Sequence, residues 1–260
     1  MKIQDVDNGQ AFDFGKTSQA YAKYRDIYPE ALYEKLHDLG IGARGTDWLD
    51  LGTGTGVFPR KMARYGANII GVDISGNQIS EAVRLSEGME NIRYIVCSAE
   101  EMDFPENSFD SITACQCFWY FDPAVIVPKI RSMLRPGGIF LKVYMSYMKE
   151  ELIVRDSNSL VKEINGAWSG GSGALKDLTT HYFENPQTDT ILADIPFTRE
   201  TWHGRMLTCR GVMASMSEDK ISEFNQRHRE MLEKKYPEAF TVRHKIFITW
   251  YRLQSYGKPY

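Results

Sequence analysis

From Thr46 to about Tyr144, short apolar runs alternate with stretches of helical periodicity, the pattern of consecutive βαβ units and a parallel sheet. Five strands are predicted, at Asp47 to Leu51, Asn68 to Val72, Ile92 to Cys97, Phe109 to Cys115 and Gly138 to Tyr144. Each is apolar enough to be covered by helices on both faces. Helices are expected near Val57 to Tyr65, Gly76 to Glu87 and Pro123 to Leu134. Pro59 sits in a first helical turn and Gly66 supplies a left-handed stop. Arg135-Pro136-Gly137-Gly138 should turn the chain into the fifth strand. Before this core, Thr17 to Leu39 reads as helical with a break at Pro29. After it, Met145 to about His181 reads as helical, with a loop at Ser169-Gly170-Gly171-Ser172-Gly173. A strand at Ile191 to Phe197, helices from Thr201 to about Tyr236 and a strand at Val242 to Leu253 complete the expectation.

Composition narrows the partners. At 260 residues, one core is the default, and 43% hydrophobic residues are ordinary for a globular chain. A formal net charge of −3, with acidic and basic residues interspersed, lacks a footprint for a phosphate backbone, so nucleic acid is an unexpected substrate. The longest apolar runs are strand length, and the first fifteen residues lack a signal-peptide pattern. A cytoplasmic location with no membrane partner is therefore expected. The four cysteines, Cys97, Cys115, Cys117 and Cys209, lack zinc-ligand spacing; no metal is expected, and they read as buried thiols. Were Cys115 and Cys117 on one strand, they would share a face, so a redox pair is conceivable.

The strongest chemical signal is Asp50-Leu51-Gly52-Thr53-Gly54-Thr55-Gly56-Val57, where a strand runs into a glycine-rich turn and then a helix. Glycines let backbone approach a ligand, and a helix start offers free N–H groups. A dinucleotide fingerprint G-x-G-x-x-G would need glycine at position 57 or 59, which hold Val57 and Pro59. Asp50 adds a carboxylate at the strand end, better suited to a cation than to a phosphate. Asp73, 21 residues beyond Gly52, ends the second strand where an acid can accept from ribose hydroxyls.

Asp50-x-Gly52-x-Gly54-x-Gly56 resembles the first motif of class I S-adenosylmethionine-dependent methyltransferases. Ser98-Ala99-Glu100 is similar to that family's adenine-contacting segment. Phe109-Asp110-Ser111-Ile112, Cys115 to Asp122 and Leu134 to Gly138 resemble its fourth strand, acceptor loop and start of the fifth strand. The resemblance implies an α/β, Rossmann-like doubly wound sheet of about seven strands, with a helical cap from the N-terminus and from an insertion after the fifth strand. It also implies S-adenosyl-L-methionine as cofactor and a small-molecule acceptor held between cap and core. The expected organisation is 1–45 N-terminal helices and lid, 46–145 cofactor-binding core, 146–215 cap and acceptor region, and 216–260 C-terminal helix and strand. The cofactor set implied is Asp50, Gly52, Thr53, Gly54, Gly56, Asp73, Ile74, Ser98, Ala99, Glu100, Gln116 and Phe118.

The sequence departs from the family where the acceptor is read. Small-molecule members carry a pattern like Gln-x-x-His-Trp-Phe after the fourth strand; here Trp119 stands in place of the histidine. Tyr120, or His203 from the cap, is the candidate substitute base. Tyr21 to Pro29 resembles the segment preceding the core in the branch that includes trans-aconitate methyltransferases, making Tyr24 and Arg25 candidate lid residues. In the stretch Phe197 to Arg210, Gly204 and Thr208 match that branch, whereas Arg205 and Arg210 do not, and arginine forks suit a carboxylate acceptor. Each assignment has an ordinary alternative: a tight connection for the glycine turn, a capping neighbour for Asp73, a partly exposed helix residue for His203 and a solvated face for the two arginines. A nucleotide-dependent oxidoreductase and a non-catalytic S-adenosylmethionine-binding module are the rival functions. The acceptor, the atom methylated and the oligomeric state stay open.

Overall fold

The computed structural model describes residues 2–3, 6–170 and 179–254. Seven strands form one sheet in the order β3-β2-β1-β4-β5-β7-β6, with β1 Asp47–Leu51, β2 Asn68–Asp73, β3 Ile92–Val96, β4 Phe109–Cys115, β5 Leu134–Tyr147, β6 Gln187–Thr198 and β7 Ala239–Arg252. The pairs joining β1 to β5 are all parallel. β7 runs the other way beside β5: backbone bonds join Gly137 and Gly138 to Leu253, and Met148 to Arg243, so one number rises as the other falls. The chain leaves β1 toward β2 and β3, then returns to β4 on its other side. The crevice beyond the carboxyl ends of β1 and β4 is therefore the topological switch point, where open α/β sheets bind ligands.

Two compact units divide the chain: Met1–Tyr28, Met145–Leu175 and Leu192–Lys245 form one, and Pro29–Tyr144, Lys176–Ile191 and Ile246–Tyr260 the other. In the second unit, α2 Glu30–Asp38, α3 Val57–Met62, α4 Gly76–Leu85 and α5 Pro123–Met133 accompany the parallel strands. Right-handed crossovers place α3 and α4 on one face of the sheet and α5 on the other. Leu49, Leu51, Ile112, Ile126, Val127, Ile130 and Phe140 are buried in its core. Asp122 starts α5 by accepting from the Ala124 amide at 2.9 Å, and Ser75 starts α4 by accepting from the Gln78 amide at 3.4 Å.

The first unit carries α1 Ser18–Tyr24, α6 Leu152–Ile164, α7 Arg199–Leu207 and α8 Glu218–Lys235. Trp202 is fully buried at its centre, with ring centroids 5.1 Å from Phe197 and 5.9 Å from Tyr147. The Thr198 hydroxyl and Thr201 form a reciprocal cap at the start of α7. A Cβ at Gly204 would lie 2.4 Å from the Tyr24 ring, so the missing side chain is what lets α1 pack on α7. Gly204→Ala should therefore lower stability by about 1–3 kcal/mol, the scale of overpacking, measurable as a reduced urea midpoint.

Four sequence expectations need correction. Arg135-Pro136-Gly137-Gly138 does not precede the fifth strand but lies inside it: Phe109 pairs with Leu134 and Ser111 with Ile139, so the four residues are accommodated as a bulge in β5. The helical reading of 145–181 holds only for α6; β5 continues to Tyr147, and Asn165 ends the helix, its side-chain amide donating to the Gly211 carbonyl at 2.9 Å. The loop expected at 169–173 lies outside the described residues from 171 onward. Among the thiols, Cys97 and Cys115 are half-buried rather than buried. Cys115 and Cys117 do not share a strand, because β4 ends at Cys115 and Gln116 takes a left-handed φ of 62°.

Candidate cofactor and acceptor sites

Strand register builds the floor of the glycine turn. Thr113 of β4, Asp50 of β1, Gly71 of β2 and Tyr94 of β3 are successive Cα partners, so they form one row across the sheet on a common face. Asp50 is 2% exposed, and each of its oxygens is taken by a hydroxyl, Thr113 Oγ1 at 2.6 Å and Thr53 Oγ1 at 2.7 Å. Gly71 leaves the room this needs, since a Cβ there would lie 2.8 Å from both Thr53 Oγ1 and Tyr94 Cδ1. Burial pushes the Asp50 carboxyl up to about 6, with the nearby Asp73 charge adding and the two hydroxyls opposing. Thus Asp50 anchors the turn from beneath.

Gly52, Gly54 and Gly56 all adopt left-handed φ, at 58°, 56° and 72°. A Cβ on Gly52 would lie 2.7 Å from Cys117 Cβ, and one on Gly56 would run into the Tyr94 hydroxyl. Asp73 at the end of β2 fastens the next layer. Its Oδ2 accepts from the Gly54 amide at 2.9 Å and its Oδ1 from the Ser75 amide at 2.9 Å. A carboxylate has about four acceptor positions, so two bonds leave capacity for hydroxyl donors. Ile74 beside it is 61% exposed.

The loops after β3 and β4 are tied to each other. Glu100 accepts from Ser98 Oγ at 2.7 Å and from the Asp122 amide at 3.0 Å, and Lys129 Nζ donates to its carbonyl at 2.5 Å; Ala99 is buried beside it. Gln116 holds its left-handed turn by donating its amide to the Val143 carbonyl at 2.9 Å. Strain at a non-glycine residue next to a ligand crevice is a frequent mark of function. Cys117 Sγ then donates to the Leu51 carbonyl at 3.0 Å, linking the β4 loop to the glycine turn. Phe118 packs on Phe140 at 5.6 Å, with Lys142 Nζ 4.7 Å from its ring. Trp119 lies edge-on to Tyr144 at 5.1 Å, and its buried indole N–H has no hydrogen-bond partner among the described residues. An indole only donates, so Trp119 has no lone pair to act as a base. Tyr120 adjoins it at 5.4 Å.

A depression of about 400 Å³ lies elsewhere, lined by Asp47, Asn68, Ile69, Asn91, Ile92 and Phe109 at the starts of the strands. That is the opposite end from the glycine turn, so it is not the predicted cofactor position.

The other candidates lie in the first unit. His203 is 1% exposed, not on a solvated face. Its Nδ1 meets His228 Nδ1 at 2.8 Å, its Nε2 meets Asn225 Oδ1 at 2.9 Å, and His228 Nε2 meets Ser157 Oγ at 2.9 Å. Trp202 Nε1 donates to that hydroxyl at 3.0 Å. With both rings neutral, every donor finds an acceptor along Trp202, Ser157, His228, His203 and Asn225, and a further proton on His203 would set its Nδ1–H against the His228 Nδ1–H. Both His203 nitrogens are engaged, which removes it from the role of a free base. Burial first, and positive neighbours second, hold His203 at about 4 and His228 at about 3; burial holds His244 at about 4. A depressed histidine stabilises the fold above its unfolded value, near 6.5, and loses that contribution as pH falls toward the folded value. Asp50 acts oppositely, gaining a proton in the folded state below about 6. Burial raises Asp73 as well; the three histidines outweigh the two carboxyls, so the unfolding midpoint should fall between pH 7 and pH 5, and a midpoint that rises instead would contradict this network.

Arg25 donates from Nε and Nη2 to Thr208 Oγ1 and carbonyl, at 2.8 and 2.7 Å, a cation at the carboxyl end of α7. Tyr24 reaches Glu200 at 3.3 Å. Arg210 is buried and paired with Asp7, at 2.6 and 3.0 Å, so its fork is engaged within the fold. Arg205 is also buried, 8% exposed, and is not paired among the described residues. Sequence reasoning missed Thr113, Gly71, Tyr94 and Cys117. A lone threonine within the apolar β4 run and a glycine within β2 were the only local signals.

Comparison with known proteins agrees with this geometry. Residues 49–141 match the family model described as a methyltransferase domain. The chain is 30% identical over 128 residues to an uncharacterized methyltransferase of Mycobacterium tuberculosis, covering 49% of this chain and 50% of that protein. It is 30% identical over 149 residues to the sterol 24-C-methyltransferase of Yarrowia lipolytica, covering 55% and 38%. The chain thus spans half or less of the length of these curated relatives. A solved Haemonchus contortus phosphoethanolamine N-methyltransferase 2, in complex with phosphomonomethylethanolamine and S-adenosylhomocysteine, superposes with a TM-score of 0.56 at 18% identity, over 96% of this chain and 58% of that one, and shares the fold. Residues 49–141, which hold the glycine turn and the strands that carry it, are thus similar to a methyltransferase domain, and the seven-stranded sheet has the methyltransferase Rossmann-like order.

Proposed function

We propose that the chain is an S-adenosylmethionine-dependent methyltransferase acting on a small molecule in the cytoplasm. The observation that carries this reading is Asp73, which fastens the glycine turn through Gly54 while keeping acceptor capacity for two ribose hydroxyls. The backbone of Gly52 to Gly56 would face the amino-acid part of the cofactor, Ile74 and the Ser98 to Glu100 segment its base, and Gln116 and Phe118 the transfer end. These residues fit a cation-bearing nucleoside better than a dinucleotide, because Asp50 and Asp73 place two carboxyl groups beneath and beside the turn. When bound, the cofactor supplies an electrophilic methyl on a sulfonium that departs as a neutral thioether. What remains for the protein is to align the acceptor and exclude water.

Neither Trp119, which only donates, nor His203, engaged on both sides, can deprotonate an acceptor. Tyr120 could take a proton only as its phenolate, and an acceptor that arrives already anionic needs no base. Calorimetric titration tests the cofactor. Micromolar binding of S-adenosylmethionine is expected, and tight binding of NADH with none of S-adenosylmethionine would overturn the reading. Transfer of labelled methyl to a metabolite extract separates an enzyme from a module that only binds the cofactor.

A further inference from the structure

Two arginines lie five positions apart in the first unit, both nearly sealed from solvent, and only one has a counter-ion among the described residues. Arg210, 6% exposed, is held by Asp7. Arg205, 8% exposed, has a buried Nε with no hydrogen-bond partner, and no carboxylate pairs with it among the described residues. The charged and titratable groups it senses are Arg25, Tyr147, Cys209, Tyr21 and His244, none of them a carboxylate. Its guanidinium carbon lies 5.6 Å from the centre of the Tyr147 ring. The Tyr147 hydroxyl is already committed to Asn158 Oδ1 at 3.1 Å, and Arg25 is committed to Thr208. Burial, with Arg25 adding to it, draws Arg205 down to about 10, which leaves it a cation at neutral pH. A buried guanidinium without a partner costs stability, so the fold gains nothing by keeping it.

We propose that Arg205 receives the carboxylate of a small-molecule ligand bound within the first unit. The planar fork of an arginine binds a carboxylate through two parallel N–H donors, and Nε is one donor of that fork. Tyr147 supplies an aromatic wall for the body of the same ligand. A phosphate is the weaker fit, because such sites gather several free donors, and Arg25, the cation Arg205 senses, has spent Nε and Nη2 on Thr208.

Acetate is the probe, since the smallest carboxylates fit any cavity that admits a larger one. Thermal unfolding is followed in sodium acetate, in sodium phosphate and in sodium chloride of equal ionic strength, for the wild type and for Arg205→Met and Arg205→Lys. The expected result is a midpoint raised by acetate over chloride in the wild type, with apparent affinity roughly tenfold weaker in Arg205→Met and intermediate in Arg205→Lys. Without acetate, Arg205→Met should unfold at the same temperature as the wild type or higher, because an uncompensated buried charge has been removed. A midpoint several degrees lower would mark Arg205 as structural and overturn the proposal. So would an acetate effect equal in wild type and Arg205→Met, absence of any acetate effect, or a response to phosphate alone. S-adenosylmethionine affinity, titrated separately, should stay within about twofold in Arg205→Met. Failure of the wild type to bind S-adenosylmethionine would sink the methyltransferase reading instead, and the two failures are thereby distinguished.

Discussion

Asp73→Ala is expected to weaken S-adenosylmethionine binding by about 1–3 kcal/mol, roughly 5- to 150-fold, with the sheet intact. The magnitude is that of losing hydrogen bonds to a charged acceptor. Part of it is indirect, because the same carboxylate holds the Gly54 and Ser75 amides. Asp73→Asn separates the parts: one carbonyl oxygen can still hold an amide, but the negative charge and half of the acceptor capacity are gone. Calorimetry measures affinity and circular dichroism the fold. An Asp73→Ala protein that binds the cofactor as tightly as the wild type would remove Asp73 from the ribose role.

Gly52→Val should be the most damaging single change in the turn. Two costs combine, the left-handed φ of 58° and a Cβ placed 2.7 Å from Cys117 Cβ and 2.8 Å from its sulfur. Conformational penalty and overpacking together amount to about 2–5 kcal/mol, a large share of the stability of a typical domain. Cofactor binding should be lost as the turn moves. Gly52→Ala with and without Cys117→Ala dissects the effect by a double-mutant cycle. Trimming the thiol should recover the share owed to the sulfur and leave both the φ share and the contact with the remaining Cβ. Strict additivity of the two changes would show that Cys117 does not confine the turn.

Local chemistry makes much of this protein readable. The strands of the parallel half can be placed because buried β-strands, glycine turns and helix caps are short-range patterns, and the glycine turn itself is contiguous in sequence. What escapes depends on register or on distant partners. Thr113 matters only because β4 pairs beside β1 in a register that sets it next to Asp50. The bulge at Pro136 reads as a turn, since Pro-Gly-Gly looks the same whether the chain reverses or swells within a strand. Arg205 and Arg210 are indistinguishable in sequence as helix-face arginines; the difference is Asp7, some two hundred residues away along the chain. His203 looks like a spare base because its partners lie on α8, more than twenty residues away, with His228 tied in turn to Ser157 of α6.

The row of Thr113, Asp50, Gly71 and Tyr94 has a consequence for how the molecule comes together. Slipping β2 by one residue against β1 would put Ile70 or Val72 where Gly71 belongs and turn alternate side chains to the other face. The space for Thr53 would close and Asp50 would lose a donor. A misaligned sheet would therefore have strands but no seat for the cofactor, and the nucleoside would bind only chains paired in the native register. At a hundredfold excess over its dissociation constant it would add about 2.7 kcal/mol to that register alone. In this way a metabolite concentration becomes a selection on strand alignment, and the same four residues that prepare the site also report that the chain has folded correctly.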